Sequence, residues 1–304
     1  FKSRVVACNP AEFEKTVDGK KCTVSGYEVI LDDTILFPEG GGQPCDYGYL
    51  NNNPVYLVLR RGPDAVHFTE NQFEIGEHVE QRVDWERRLD HMQQHSGQHL
   101  ITALADSLYG FKTTAWSLGK DISFIELDTP KIKQEDVDNL EKIVNEKIRL
   151  GLNVSVQEYK ADDPVLKEIR TRGLPDDHTG EVRVVSIENI ESNICCGTHV
   201  SNLCQLQAIK LVGVQKGKKG KVNLQFLVGT RVLQRLASAL QKEQALTTIL
   251  NNGPESHVEL VDKLHKTSKA AHKNHQNVLK ELAALETKLL KSSSPRPKFY
   301  SLHR

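Results

Sequence analysis

Two short segments on either side of residues 100–194 restrict this chain to folds that bring them together: His95-Ser-Gly-Gln-His99 and Cys195-Cys-Gly-Thr-His199. On a helix, His95 and His99 stand at i and i+4 and project from one face, one turn apart. The second segment adds a thiolate and a third imidazole. A Cys/His₃ set suits zinc. The ligand pairs of a zinc finger lie about a dozen residues apart, so this tetrad is no local staple and only a tertiary fold can close it. Residue chemistry alone leaves more candidates than places. His91 shares the helical stripe of His95 and His99, and Cys196 adjoins Cys195. An isolated H-x₃-H pair among 12 histidines is also more often solvated or packed than ligating.

Residues 1–88 read as β. Short β-branched or aromatic runs at 24–31, 34–37, 55–59 and 78–83 alternate with turn clusters such as Asn51-Asn-Asn-Pro54 and Arg61-Gly-Pro-Asp64. That spacing predicts a small antiparallel β-barrel. The glycine-rich segment 39–48 lies inside it and lacks the Gly-Lys-Ser/Thr ending of a phosphate-binding loop, which argues against nucleotide binding. Its glycines suit a tight turn needing positive φ, and they would also let the backbone approach a ligand closely.

Helical periodicity takes over at 90–109, with Leu89, Met92, Leu100, Ile101, Leu104 and Leu108 recurring on one side and Gly110 as a stop. A strand at 122–127 and a helix at about 133–150 follow, the latter burying Val137, Leu140, Val144 and Ile148. Strand patterns return at 154–157, 182–187, 207–212 and 222–228. Helices followed by several strands predict an α+β layer in which helices cover one face of an antiparallel sheet.

The last stretch differs. Val261, Leu264, Ser268, Ala271, His275, Val278, Leu282, Leu285 and Leu289 repeat at 3-4 spacing, a heptad seam that predicts a helical hairpin in a monomer rather than a dimerising coiled coil. The expected organisation is therefore α+β: a β-barrel domain at 1–88, a metal-binding domain at 89–230, a helical hairpin at 231–291, and a linker at 292–304 leading to a further domain.

Hydrophobic residues make up 38% of the 304 and net charge is zero. The first figure suffices for two cores. The second means that any RNA-binding surface must come from local segregation of charge. No apolar run approaches the ~18–20 residues of a membrane span. The N-terminus lacks a signal-peptide stretch, and the six cysteines lack secreted framework spacing, so reduced thiols in the cytoplasm are expected. Two basic segments are candidates for RNA contact: Lys216, Lys218, Lys219 and Lys221 on a hairpin tip, and Arg82, Arg87 and Arg88 around Trp85. A solubilising loop and a packed hinge are the structural alternatives.

Gly40-Gly-Gly-Gln-Pro44, His95-Ser-Gly-Gln-His99 and Cys195-Cys-Gly-Thr-His199-Val200, in this order, resemble the freestanding alanyl-tRNA editing proteins, the AlaX-type relatives of the alanyl-tRNA synthetase editing domain. The resemblance covers residues 20–230 and extends more weakly to the end. It implies one Zn²⁺ per chain held by His95, His99, Cys195 and His199, and leaves His91 and Cys196 outside the set. Many relatives carry glycine at the Cys196 position, so that cysteine is a departure.

What the resemblance further implies is a hydrolase of mischarged tRNA, chiefly Ser-tRNA(Ala) and also Gly-tRNA(Ala). The glycine-rich turn, Gly40, Gly41, Gly42 and Gln43, would border the ester, and Gln98 would hydrogen-bond beside the metal. Thr113, Thr114 and Ser117 lie where relatives place the group that recognises serine. Two other readings compete. Editing of Ser-tRNA(Thr) shares the metal motif but not the Gly-Gly-Gly-Gln-Pro barrel. A non-catalytic zinc protein binding RNA or a partner would use the heptads, but has no need of the glycine-rich loop.

Overall fold

The computed structural model describes residues 1–17, 20–167, 169 and 180–292; the linker expected at 292–304 lies outside them beyond Ser292. Two compact units divide the chain, Phe1–Arg235 and Leu236–Arg304.

The first unit opens with strands β1 (Lys2–Val17), β2 (Lys20–Leu31), β3 (Gly48–Leu50), β4 (Asn53–Val55), β5 (Leu57–Arg61), β6 (Asp64–Thr69) and β7 (His78–Val83). They form one sheet in the order β4-β3-β7-β1-β2-β6-β5, every ladder antiparallel. Its inner face carries Val5, Val29, Leu50, Val58 and Val79, and Leu36 from the β2–β3 connection joins the same core. Among the described residues no ladder joins β4 to β5, so the sheet has two ends where closure into a barrel was expected. The run 34–37 is not a strand. Asp33 Oδ1 accepts from Thr34 N–H and Thr34 Oγ1 accepts from Leu36 N–H, so side chains satisfy the backbone locally in place of a ladder. β1, the longest strand, was not evident in the sequence because Pro10 interrupts it. The proline is tolerated because β1 pairs with β7 only at residues 2–4, leaving Pro10 with a neighbour on one side alone.

Helix α1 (Trp85–Tyr109) follows at once. Asp84 caps its start by accepting from Arg87 N–H, and Gly110 ends it at φ 68°, donating to Ala105 and Asp106 carbonyls. Then come β8 (Thr113–Ser117), β9 (Ser123–Leu127), α2 (Gln134–Arg149), β10 (Val154–Tyr159), β11 (Val182–Ile187), β12 (Glu191–Ile194), β13 (Ile209–Lys216) and β14 (Val222–Val228). Two antiparallel sheets result, β13-β14-β9-β8 and β10-β11-β12. Leu100, Ile101, Leu104 and Ala105 of α1 and Val137, Leu140, Val144 and Ile148 of α2 share one core with Ile125, Leu224 and Phe226 of the four-stranded sheet. This is the expected α+β layer, and it explains why α1 is apolar on one stripe only.

Just before the metal motif, α1 presents amides to the neighbouring backbone. Gln94 pairs with Val228 through both side-chain atoms, and Gln93 donates to the Gln205 carbonyl while accepting from Thr230 N–H. These bonds lock the end of β14 and the start of α3 (Thr230–Leu250) onto α1.

The second unit holds the rest of α3 and α4 (His257–Ser292), joined through a 3₁₀ turn at Pro254–Ser256. Leu246, Val258 and Val261 line an apolar groove beside that turn. Farther along, the seam expected to close a hairpin is open to solvent, with Leu264, Val278, Leu285 and Leu289 all exposed. α3 offers the seam no apolar layer to close on, since its own Leu233, Leu236, Leu240 and Leu246 are exposed as well. No helix among the described residues is long and apolar enough to cross a membrane.

Candidate metal centre

The fold brings the two motifs together. His95 and His99 face inward from the middle of α1, and Cys195 and His199 come from the loop after β12. Their potential ligand atoms all lie within 4.8 Å of one another. Cys195 Sγ is 3.4 Å from His95 Nε2 and 3.3 Å from His199 Nε2. A tetrahedral zinc ion, with Zn–N of about 2.0–2.1 Å and Zn–S of about 2.3 Å, spans N···S edges of about 3.5 Å, so the donor set fits it. His95 and His99 are buried. Loss of water, followed by the neighbouring His95, His99 and Arg183, pushes His199 well below its ordinary pKa, which keeps its ring neutral and its lone pair available.

The two surplus candidates fall away. Cys196 is exposed and points past Gly41, so Cys195 supplies the sulfur of the cluster. His91 is buried outside the cluster; burial, then the Arg87 charge, lowers its pKa to about 4.

Each histidine has a second contact at Nδ1. His95 meets Gln43 Oε1 at 2.9 Å, His199 meets Ser96 Oγ at 3.1 Å, and His99 lies 3.9 Å from Glu191 Oε1. Such outer partners orient imidazole ligands. Arg183 braces the loop by donating to the carbonyls of Cys195 and Gly197, and Gly197 N–H points at Cys195 Sγ, favouring the thiolate.

Other expected site residues divide. Gly40 and Gln43 close a tight turn by mutual backbone hydrogen bonds, with Gly41 and Gly42 both at positive φ, as a mirror-image turn requires. A Cβ on Gly42 would lie 2.9 Å from the Trp116 ring, which itself stands 4.9 Å from the His95 ring. Gln98 is buried and donates to Thr102 Oγ1, which in turn is 3.0 Å from Thr113 Oγ1; among the described residues Gln98 Oε1 has no hydrogen-bond partner. Thr114 instead bonds Glu126, and Ser117 accepts from Gly119 N–H, so neither joins this network.

The basic residues divide as well. Lys216, Lys218 and Lys219 are exposed around the expected β13–β14 hairpin tip, whereas Lys221 pairs with Glu126. Arg82 lies over Tyr49, and Arg87 lies over Tyr47 while donating to the Cys45 carbonyl. Arg88 is held inside by buried Asp46.

Ser96, Thr102, Trp116, Arg183 and Glu191 were not picked out from sequence. Ser96 and Thr102 left a trace, as polar residues beside or within an apolar helical stripe. Glu191 and Arg183 left none.

Residues 182–227 match the threonyl and alanyl tRNA synthetase second additional domain. The chain is 53% identical to alanyl-tRNA editing protein Aarsd1-B of Xenopus laevis over 302 residues, 99% of this chain and 73% of the relative. The chain belongs to the alanyl-tRNA editing protein family. Aarsd1 of Mus musculus is 53% identical over 305 residues, covering 100% of this chain and 74% of that protein. A putative alanyl-tRNA editing protein alaX of Saccharomyces cerevisiae is 34% identical over 261 residues, 76% of this chain and 56% of its own length. The matched domain contains Arg183, Glu191, Cys195 and His199, while His95, His99 and Gln43 lie outside it.

Proposed function

We propose that this chain is an aminoacyl-tRNA hydrolase that cleaves the ester of mischarged tRNA(Ala), chiefly Ser-tRNA(Ala) and also Gly-tRNA(Ala), acting as a cytoplasmic monomer with one Zn²⁺ per chain. The observation that carries the reading is the Cys/His₃ cluster between the middle of α1 and the loop after β12, in a member of the alanyl-tRNA editing family. His95, His99, Cys195 and His199 would hold the ion. A zinc ion held there would supply Lewis-acid charge to the aminoacyl ester.

The protein's own groups supply position and selectivity. Trp116 covers Gly42, whereas Gly41 leaves the backbone of the glycine-rich turn without a side chain beside Cys196, where the ester would approach. Gln98 Oε1, a buried acceptor without a partner among the described residues, suits the hydroxyl of a seryl group, with Thr102 and Thr113 orienting the amide. Neither an alanyl nor a glycyl group supplies that hydrogen, so the acceptor stays unpaired with both, which favours seryl ester over alanyl and makes glycyl ester the lesser substrate. Lys216, Lys218 and Lys219 are the best placed cations for tRNA phosphates, and Arg82 and Arg87 with their tyrosines for unpaired bases.

The test is ester loss from Ser-tRNA(Ala) and Ala-tRNA(Ala) incubated with the chain. Fast loss from seryl, slow loss from alanyl and collapse in His99→Ala are expected. Equal, slow loss from both, unaffected by His99→Ala, would instead favour a zinc-containing protein that binds RNA or a partner, a role the exposed α4 seam could serve. Preference for Ser-tRNA(Thr) would move the substrate and leave the chemistry.

A further inference from the structure

Gln43 stands out among the residues around the cluster. It is fully buried, it comes from the turn between β2 and β3 rather than from the elements that carry the ligands, and its side-chain hydrogen bonds all run to the metal motifs. Its orientation is determined by chemistry. Thr198 N–H, which can only donate, lies 3.0 Å from one side-chain atom of Gln43, so that atom is the oxygen, Oε1. The other, Nε2, donates to Thr198 Oγ1 at 2.8 Å. Oε1 also faces His95 Nδ1 at 2.9 Å, and an oxygen there can only accept. His95 must therefore carry its proton on Nδ1, which leaves the lone pair on Nε2, the nitrogen that faces Cys195 Sγ.

The surroundings allow this one arrangement. A Cβ on Gly197 would lie 2.2 Å from the His95 ring and 2.9 Å from Gln43 Oε1, so a side chain at 197 would displace both. On the other side, Trp116 packs between His95 and Gly42. The turn that presents Gln43 is itself closed by Gly40 and needs positive φ at Gly41 and Gly42. The glycine-rich segment thus has a task besides leaving room for substrate: it aims one amide at one ligand.

We propose that Gln43 is a positioning residue for the metal centre, holding His95 in the tautomer and rotation that ligate, so that retention of the ion depends on the N-terminal sheet. This rests on the metal reading given under Proposed function. Outer partners of ligating histidines typically matter 10- to 100-fold in metal affinity.

The experiment follows zinc release from the loaded full chain to a chromophoric chelator, with the cobalt-substituted protein giving the ligand-field spectrum. Gln43→Met matches the length of glutamine but cannot accept from His95, and should release zinc about 10- to 100-fold faster than wild type. Gln43→Glu keeps an acceptor facing His95 Nδ1 and Thr198 N–H, and should retain zinc and the wild-type cobalt spectrum. A purely packing role for Gln43 would not separate these two variants. Should Gln43→Met not fold, ¹⁵N-histidine spectra of the zinc-loaded wild type still decide, since His95 must show a protonated Nδ1 and a metal-bound Nε2. Zinc release from Gln43→Met at the wild-type rate overturns the proposal, as does equal loss from both variants or ligation through His95 Nδ1. A wild type that holds no zinc removes the metal reading and this inference together. One that holds zinc as described but hydrolyses no ester removes only the proposed reaction.

Discussion

Asp90 and Arg231, 141 residues apart, form a two-pronged ion pair with both contacts at 2.7 Å. The same guanidinium donates to the carbonyls of Leu118 and Gly119, and only 7% of its side chain is exposed. It thereby ties the first turns of α1, the β8–β9 connection and the start of α3. Removing one partner of a buried pair costs about 3–5 kcal/mol, and Asp90 retains some water contact, so Arg231→Met should lose about 3 kcal/mol of unfolding free energy in urea. Arg231→Lys should recover little, because an ammonium cannot reproduce the fork. A loss under about 1 kcal/mol would mean that Asp90 simply rehydrates.

Cys195 and Cys196 should separate cleanly. Cys195→Ala should abolish stoichiometric zinc and deacylation, while Cys196→Ala, altering an exposed side chain beside Gly41, should keep both. Metal analysis of the purified variants reads this directly, and the opposite pattern would shift the ligand by one residue.

Gln98→Leu should act on selectivity rather than on metal content. One lost hydrogen bond is worth about 1 kcal/mol, so kcat/KM for Ser-tRNA(Ala) should fall about 5- to 10-fold. Ala-tRNA(Ala) hydrolysis should rise, because the acceptor that an alanyl group leaves unpaired is gone. A parallel fall for both esters would place Gln98 in general support of the centre instead.

Replacing Lys216, Lys218 and Lys219 together with alanine should weaken tRNA binding most at low salt. Each lost phosphate contact removes about 0.7–0.9 from the slope of log K against log salt, so the triple variant should flatten it by about 2–3. Lys221→Ala, whose ammonium already pairs with Glu126, should change the slope little.

His67 gives the β-sheet an acid limit. Burial lowers its pKa to about 4, against an ordinary value of 6.5. Above pH 6.5 the ring is neutral whether the chain is folded or not, so it imposes no cost. As pH falls from 6.5 towards 4, the unfolded chain takes up a proton that the folded one refuses, and stability declines by up to about 3 kcal/mol. The urea midpoint should drop across this window, and the His67 ring protons should keep the shifts of a neutral imidazole until about pH 4.

Much of the secondary structure was legible because its causes are local. β7, β11 and β14 begin and end where their apolar runs do, and Gly110 ends α1 where a left-handed residue was needed. β1 was missed because its stability comes from pairing with β2 rather than from its own pattern, which Pro10 breaks. The barrel was inferred from strand spacing, yet spacing says nothing about whether the end strands pair.

The site divides along the same line. The four residues of the cluster could be named from sequence because metal chemistry restricts donors to a few residue types and helical geometry restricts their spacing, with the family resemblance choosing Cys195 over Cys196 and setting His91 aside. What lies behind each donor was not legible: Gln43 was expected to border the ester, and Ser96 and Glu191 are ordinary polar residues until the fold brings them to an imidazole. Arg88 shows the converse: its charge suggested RNA, but buried Asp46 claims it. Sequence alone determined which atoms were available to hold a metal. Tertiary structure alone decided which way they face, because a hydrogen bond between distant segments depends on positions in space that no local pattern encodes.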